Sequence, residues 1–228
     1  MLAGALVLSL IMALTLLPQA WIRYVLARHS ATRPDFPGAG GEFARHLLDQ
    51  AGLSHVHVEQ TSQGDHYDPL GKTVRLMPEH YTGRSLAAVV IAAHEVGHAL
   101  QDAQAMPLLR TRTKLARAST AIQLAVAVVM IAAPLMMLLT RSPYGALIDV
   151  AVGVILMTFN VLMQVVTLPV EIDASFNRAL PILRIGGYLP ERDMPAARQI
   201  LAAAAFTYVA AALMSVLNVG RWLRGLRI

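Results

Sequence analysis

The sequence predicts a mainly α membrane protein, in which four membrane-crossing helices carry a small α+β domain made of a short β-hairpin and one buried helix. Three observations predict it. Hydrophobic residues make up 56% of the chain and charged residues 14%, against about 45–50% and about 25% in an ordinary soluble domain. Four apolar runs reach the roughly 20 residues that a bilayer requires. A polar stretch between the first and second runs alternates in the manner of strands and then turns into an apolar helix.

The elements follow in order. Residues 1–24 read as a retained anchor: Pro18, Gln19 and Trp21 make no small-residue cleavage site, and no basic stretch precedes the apolar run. Trp21 and Tyr24 suit a membrane interface, with Arg23 and Arg28 beyond it. Residues 25–117 form the small domain. Its linker, Arg33-Pro34-Asp35-Phe36-Pro37-Gly38, is rich in helix breakers. A short helix over 42–51 places Phe43, Leu47, Leu48 and Ala51 on one face, and Gly52 stops it. His55-Val56-His57-Val58-Glu59 and Lys72-Thr73-Val74-Arg75-Leu76 alternate and are expected to pair as a hairpin across a long loop. Ser85 is the expected N-cap of a helix reaching Gln101. Residues 118–168 are expected to form a transmembrane hairpin that turns at Arg141-Ser142-Pro143. Residues 169–195 form a helical segment, 196–219 the last span, and 220–228 a basic tail.

The formal charge is +5. Its arginines flank apolar runs, so lipid headgroups and topology account for them and nucleic acid is not an expected partner. Arg23, Arg28, Arg33, Arg110, Arg112, Lys114, Arg117, Arg178, Arg184 and Arg192 fall on the domain side. Arg141, Arg221, Arg224 and Arg227 fall on the other. The positive-inside rule then puts the domain in the cytoplasm of a multi-pass inner-membrane protein. The chain has no cysteine, which excludes disulfides and thiolate-bound zinc.

His94-Glu95-Val96-Gly97-His98 carries the chemistry. On a helix, positions i and i+4 share a face, so both imidazoles can reach one tetrahedral zinc. Glu95 lies beside them and can take a proton from metal-bound water. The surrounding helix is apolar almost all round and must be buried, and unpaired charge there is very costly. Metal binding is therefore expected, one zinc per chain. A hydrolytic zinc site has three protein ligands and an open position. No histidine follows His98, which leaves an upstream group or one of Asp102, Asp149, Glu171, Asp173, Glu191 and Asp193. Glu171 is favoured, because it opens a helix at the end of a span that returns to the membrane face of the His94 helix.

Four blocks carry a family resemblance. They are Asp65-His66-Tyr67-Asp68-Pro69, the segment 85–101, Leu168-Pro169-Val170-Glu171-Ile172-Asp173-Ala174-Ser175, and the segment 202–212 with Thr207-Tyr208-Val209. Together they resemble the bacterial membrane-associated neutral zinc metallopeptidases of the YugP-like group. The Glu171 block is also similar to the E-x-x-A-D motif of HtpX-like membrane gluzincins, in which the Glu is the third ligand. Ser175 stands here in place of that motif's last Asp, and Asp173 is the candidate substitute. The resemblance implies a zincin-type domain, peptidase activity, zinc and an integral membrane location. His66 or Tyr67 could polarise the substrate carbonyl, or serve only the turn at Asp68-Pro69. Tyr208 can face the site or serve helix packing. His55, His57 and His80 read as surface residues.

The reading is a zinc-dependent endopeptidase acting on membrane or unfolded proteins, with quality control as a role by analogy. A site-2-type intramembrane protease and an inactive zinc-binding adaptor are the alternatives. The apolar run 86–100 is short for a span, and a structural zinc would call for a closed, Cys-rich site. Partner proteins are not legible.

Overall fold

The computed structural model describes the backbone of residues 2–140 and 144–225; of the side chains, most of those in 2–15, 133–150 and 211–225 lie outside the description. The expected turn at Arg141-Ser142-Pro143 also lies outside the described residues. The order is α1 (Leu2–Arg28), α2 (Gly40–Gln50), β1 (His57–Gln60), β2 (His66–Asp68), β3 (Thr73–Leu76), α3 (Pro78–Tyr81), α4 (Leu86–Ala103), α5 (Pro107–Thr140) and α6 (Tyr144–Ile172). A π-helical segment (Asp173–Ala179), α7 (Leu180–Ile185), a 3₁₀ turn (Glu191–Asp193) and α8 (Met194–Gly225) complete it.

Local signals hold where they are local. Helix α2 ends in a Schellman motif at Gly52, which takes φ +70°. The Leu53 N–H donates to Leu48 O and the Gly52 N–H to Asp49 O. Ser85 caps α4, its Oγ accepting from the Ala88 N–H at 3.1 Å. Every residue of α4 from Leu86 to Ala99 is buried, as an all-round apolar helix must be. Burying Val90 or Val96 there stabilises the fold by about 1.5–3 kcal/mol each.

The sheet differs from the expected hairpin. Its order is β1-β3-β2. β1 runs parallel to β3, with Val58 opposite Val74, while β2 runs antiparallel to β3, with Tyr67 opposite Val74. The hairpin is β2–β3. Its turn is Asp68-Pro69-Leu70-Gly71-Lys72, held by the Leu70 N–H donating to Asp68 Oδ1 at 2.9 Å and by Lys72 at φ +48°. Parallel strands need a long crossover, and the residues that were read as a loop supply it. β2, only three residues long, is too short to announce itself by alternation.

Four membrane-crossing helices are not found. Among the described residues one helical stretch, Ala151–Ile185, is long and apolar enough to cross a membrane. The other runs partly build the core. Val25 of α1 is fully buried, with Trp21, Ile22 and Leu26 packed against the core, and Ala197, Ile200 and Leu201 of α8 are fully buried. Trp21 meets Phe206 edge-on at 5.5 Å. The run expected at 118–140 is the later part of α5, whose first turns carry Arg110, Arg112, Lys114 and Arg117. Membrane-length and core-covering apolar runs look alike in one dimension. Nor does Pro169 break the chain: α6 passes through it and continues via the π segment into α7.

One contact positions the site. A Cβ on Gly97 would lie 2.8 Å from the carbonyl oxygen of Ala174. Only glycine allows α4 and the π segment to approach this closely, and the approach brings Glu171 and Ser175 over the His94–His98 face.

Candidate metal centre and active site

His94 and His98 lie one turn apart on α4, rings edge-to-face at 4.8 Å. Glu171, on the last turn of α6, sends Oε2 between them, 3.2 Å from His94 Nε2 and 3.4 Å from His98 Nε2. All three are buried, and their potential ligand atoms lie within 4.8 Å of one another.

A hydrogen bond behind one ring fixes its tautomer. Gln101 Nε2 donates to Val170 O at 2.8 Å and to Asp173 Oδ2 at 2.9 Å. Its Oε1 must therefore accept, and its partner at 2.9 Å is His98 Nδ1. The proton of neutral His98 then sits on Nδ1 and the lone pair of Nε2 faces Glu171. His94 Nδ1 lies 3.1 Å from Ser175 Oγ, a hydroxyl that can either donate or accept. The His98 lone pair and the Glu171 carboxylate, directed at one point that His94 Nε2 also reaches, repel each other unless a proton or a cation stands among them. Two nitrogens and one oxygen, each imidazole steadied from behind, suit zinc.

Glu95 is 5% exposed, and its Oε2 is buried with no hydrogen-bond partner. Burial pushes its carboxyl up to about 7, against the lowering influence of His94. Arg112 of α5 holds the far oxygen of Glu171, Oε1, at 3.2 Å. Tyr208 of α8 lies close enough to Glu171 to feel its charge.

The remaining expected residues fall around this centre. His66 is half-buried, with Nδ1 2.8 Å from Gly64 O. It lines a cleft of about 420 Å³ with Tyr67, Asp68, His98, Leu109, Arg112 and Arg117 among its walls. The Tyr67 hydroxyl is turned away, donating to Asp102 Oδ2 at 2.7 Å, where Lys72 Nζ also binds at 2.5 Å. Asp102 is thereby engaged, as are Asp173 by Arg178 at 2.7 Å and Asp193 by Arg33 at 2.7 Å. Glu191 is exposed at 3.6 Å from Arg184, and the Asp149 side chain lies outside the described residues.

Sequence reasoning missed four participants. Gln101 stands at i+3 from His98, a spacing that could have revealed it. Ser175 itself, rather than Asp173, meets His94; Asp173 acts one step back, on Gln101. Arg112 carried no local signal. His80 is buried, not on the surface, with Nδ1 2.8 Å from Asp65 Oδ2.

Comparison with known proteins shows the family. The sequence model of a family described as "Putative neutral zinc metallopeptidase" matches residues 5–227, and the chain belongs to that family. Among curated proteins it is similar to one called "Putative membrane protease YugP" from Bacillus subtilis (strain 168), 40% identical over 185 residues that cover 80% of this chain and 78% of the relative. No solved structure matches the chain.

Proposed function

We propose that the protein is a zinc-dependent endopeptidase of the gluzincin kind, with His94, His98 and Glu171 holding the metal and Glu95 as the general base. The carrying observation is the convergence of three buried potential ligand atoms, beside a carboxylate with an unpartnered oxygen. Zinc bound there would act as a Lewis acid and lower the pKa of a bound water. Glu95 Oε2 receives the proton of the attacking water and returns it to the leaving amine nitrogen. Tyr208, beside Glu171, and Arg112, on the cleft side, are the groups best placed to stabilise negative charge on the carbonyl oxygen. Tyr67, tied to Asp102, serves to position β2.

Substrate enters the cleft beside β2. β3 is the central strand, so the free edge beside His98 belongs to β2. An extended peptide can add to that edge by main-chain hydrogen bonds. The ionisable side chains of His66, Asp68, Arg112 and Arg117 in the cleft wall favour cleavage in water over cleavage within the bilayer, and no fourth His, Asp or Glu joins the cluster among the described residues, against a closed structural zinc. We place the protein in a bacterial inner membrane, held there by the part of the Ala151–Ile185 stretch that precedes Glu171, the domain facing the cytoplasm, with membrane or unfolded proteins as substrates and quality control as its role.

The test compares purified wild type with Glu95→Gln on an unfolded protein, measuring zinc in both. Zinc in both with cleavage by wild type alone supports the reading; cleavage by Glu95→Gln sinks it.

A further inference from the structure

The two walls of the 420 Å³ cleft are unlike. One is β2 and its turn, with a free backbone edge. The other is a stripe of α5, Leu109, Arg112, Thr113, Ala116 and Arg117, spaced as one helix face. His98 lies on the floor between them. The charges on these walls do not balance. Asp68 is neutralised by Arg75 at 2.7 Å, and Arg112 by Glu171 at 3.2 Å. Arg117 is exposed and makes no ion pair among the described residues. One uncompensated cation therefore remains on the wall facing the bound peptide.

Its distance from the reaction centre can be reckoned. Arg112 touches Glu171 and marks the position of the scissile bond along α5. Arg117 lies five residues on, about 7.5 Å along the axis at 1.5 Å per residue. An extended peptide rises about 3.3 Å per residue, so about two residues cover that distance. Residues two apart in a strand point to the same face. A side chain facing α5 near the scissile bond therefore has its neighbour two positions away facing Arg117.

Resting on the peptidase reading of this site, we propose that the cleft selects substrates with a carboxylate side chain about two residues from the scissile bond, and that Arg117 is the specificity-determining residue that binds it. The guanidinium matches a carboxylate bidentately. A charge-assisted pair in a half-enclosed cleft corresponds to roughly tenfold discrimination between Glu and its amide.

The experiment uses the full-length zinc-loaded chain in detergent and short fluorescent Ala/Leu peptides carrying one Glu, Gln or Lys. Binding is read by anisotropy in the Glu95→Gln background, and cleavage in the otherwise wild-type protein. The expected result is about tenfold tighter binding of the Glu peptide than the Gln peptide, equal binding of both by Arg117→Gln, and a preference for Lys in Arg117→Glu. Where peptides are cut, the bond broken should lie about two residues from the Glu. Equal binding of Glu and Gln peptides by the Arg117-containing protein overturns the proposal. So does a preference that survives Arg117→Gln, including the case in which that variant instead loses binding to phosphatidylglycerol vesicles and Arg117 serves a lipid headgroup. Selective binding without cleavage would leave the cleft assignment standing and remove the peptidase reading.

Discussion

Replacing Gly97 by alanine adds one methyl at a close contact behind the proposed metal centre. The new Cβ would sit 2.8 Å from Ala174 O. Ordinary contact is about 3.4 Å or more, so the backbones of α4 and the π segment must part by about 0.6 Å. Two effects on stability oppose each other. Alanine gains about 1 kcal/mol over glycine inside a helix, and overpacking costs about 1–3 kcal/mol. They nearly cancel, so the net loss is about 2 kcal/mol or less and the melting temperature moves by only a few degrees. The metal site has no such compensation. The contact between His94 Nδ1 and Ser175 Oγ, 3.1 Å now, would stretch past hydrogen-bond range. Glu171, one helical turn before Ser175, would move away from both imidazoles. Loss of a partner behind a metal-bound histidine costs about 10–100-fold in affinity. Chelator competition should therefore show zinc binding weakened by at least tenfold in Gly97→Ala while the protein remains folded. Unchanged zinc affinity would refute the claim that this close approach assembles the site.

Glu95→Gln should keep its zinc and lower kcat by about 10²–10⁴-fold, the usual contribution of a general base, measured by single-turnover cleavage. Gln101→Ala should weaken zinc binding by about 10–100-fold although Gln101 touches no metal, because His98 loses its Nδ1 partner; an unaltered affinity would remove Gln101 from the site. The Glu95 carboxyl, pushed up to about 7 by burial without metal, is lowered by a nearby divalent cation. The acidic limb of kcat/KM should therefore fall below pH 7 and vanish in no other single carboxylate variant that retains zinc. Burial alone would lower the pKa of His80, but its hydrogen bond to Asp65 together with the charges of Asp65, Glu79 and Glu95 outweighs this and raises it. That contribution to stability is complete below about pH 6.5 and disappears as pH rises through the raised value. Denaturation curves should show the advantage of wild type over Asp65→Asn shrinking from pH 5.5 to 8.5; a difference independent of pH would refute the linkage.

What the sequence determined by itself was whatever depends on near neighbours along the chain. His94 and His98 stack because they are four residues apart on a helix, Ser85 caps because it precedes that helix, and Gly52 stops α2 because it alone takes φ +70° cheaply. Glu171 is singled out by the demand of the motif for a further ligand, by its place at the end of a span and by the likeness of its block to E-x-x-A-D. The tertiary structure alone decided the rest. Strand order depends on hydrogen bonds between segments far apart, so β1 and β3 could be recognised but not their parallel pairing. Apolar runs declare that they must leave water, not whether lipid or the core receives them, and α1 and α8 give part of theirs to the core. Arg112, Ser175 and the Asp65–His80 pair acquire their roles only through approaches between distant segments. Periodicity records which face of an element is buried; it carries no record of what lies against that face.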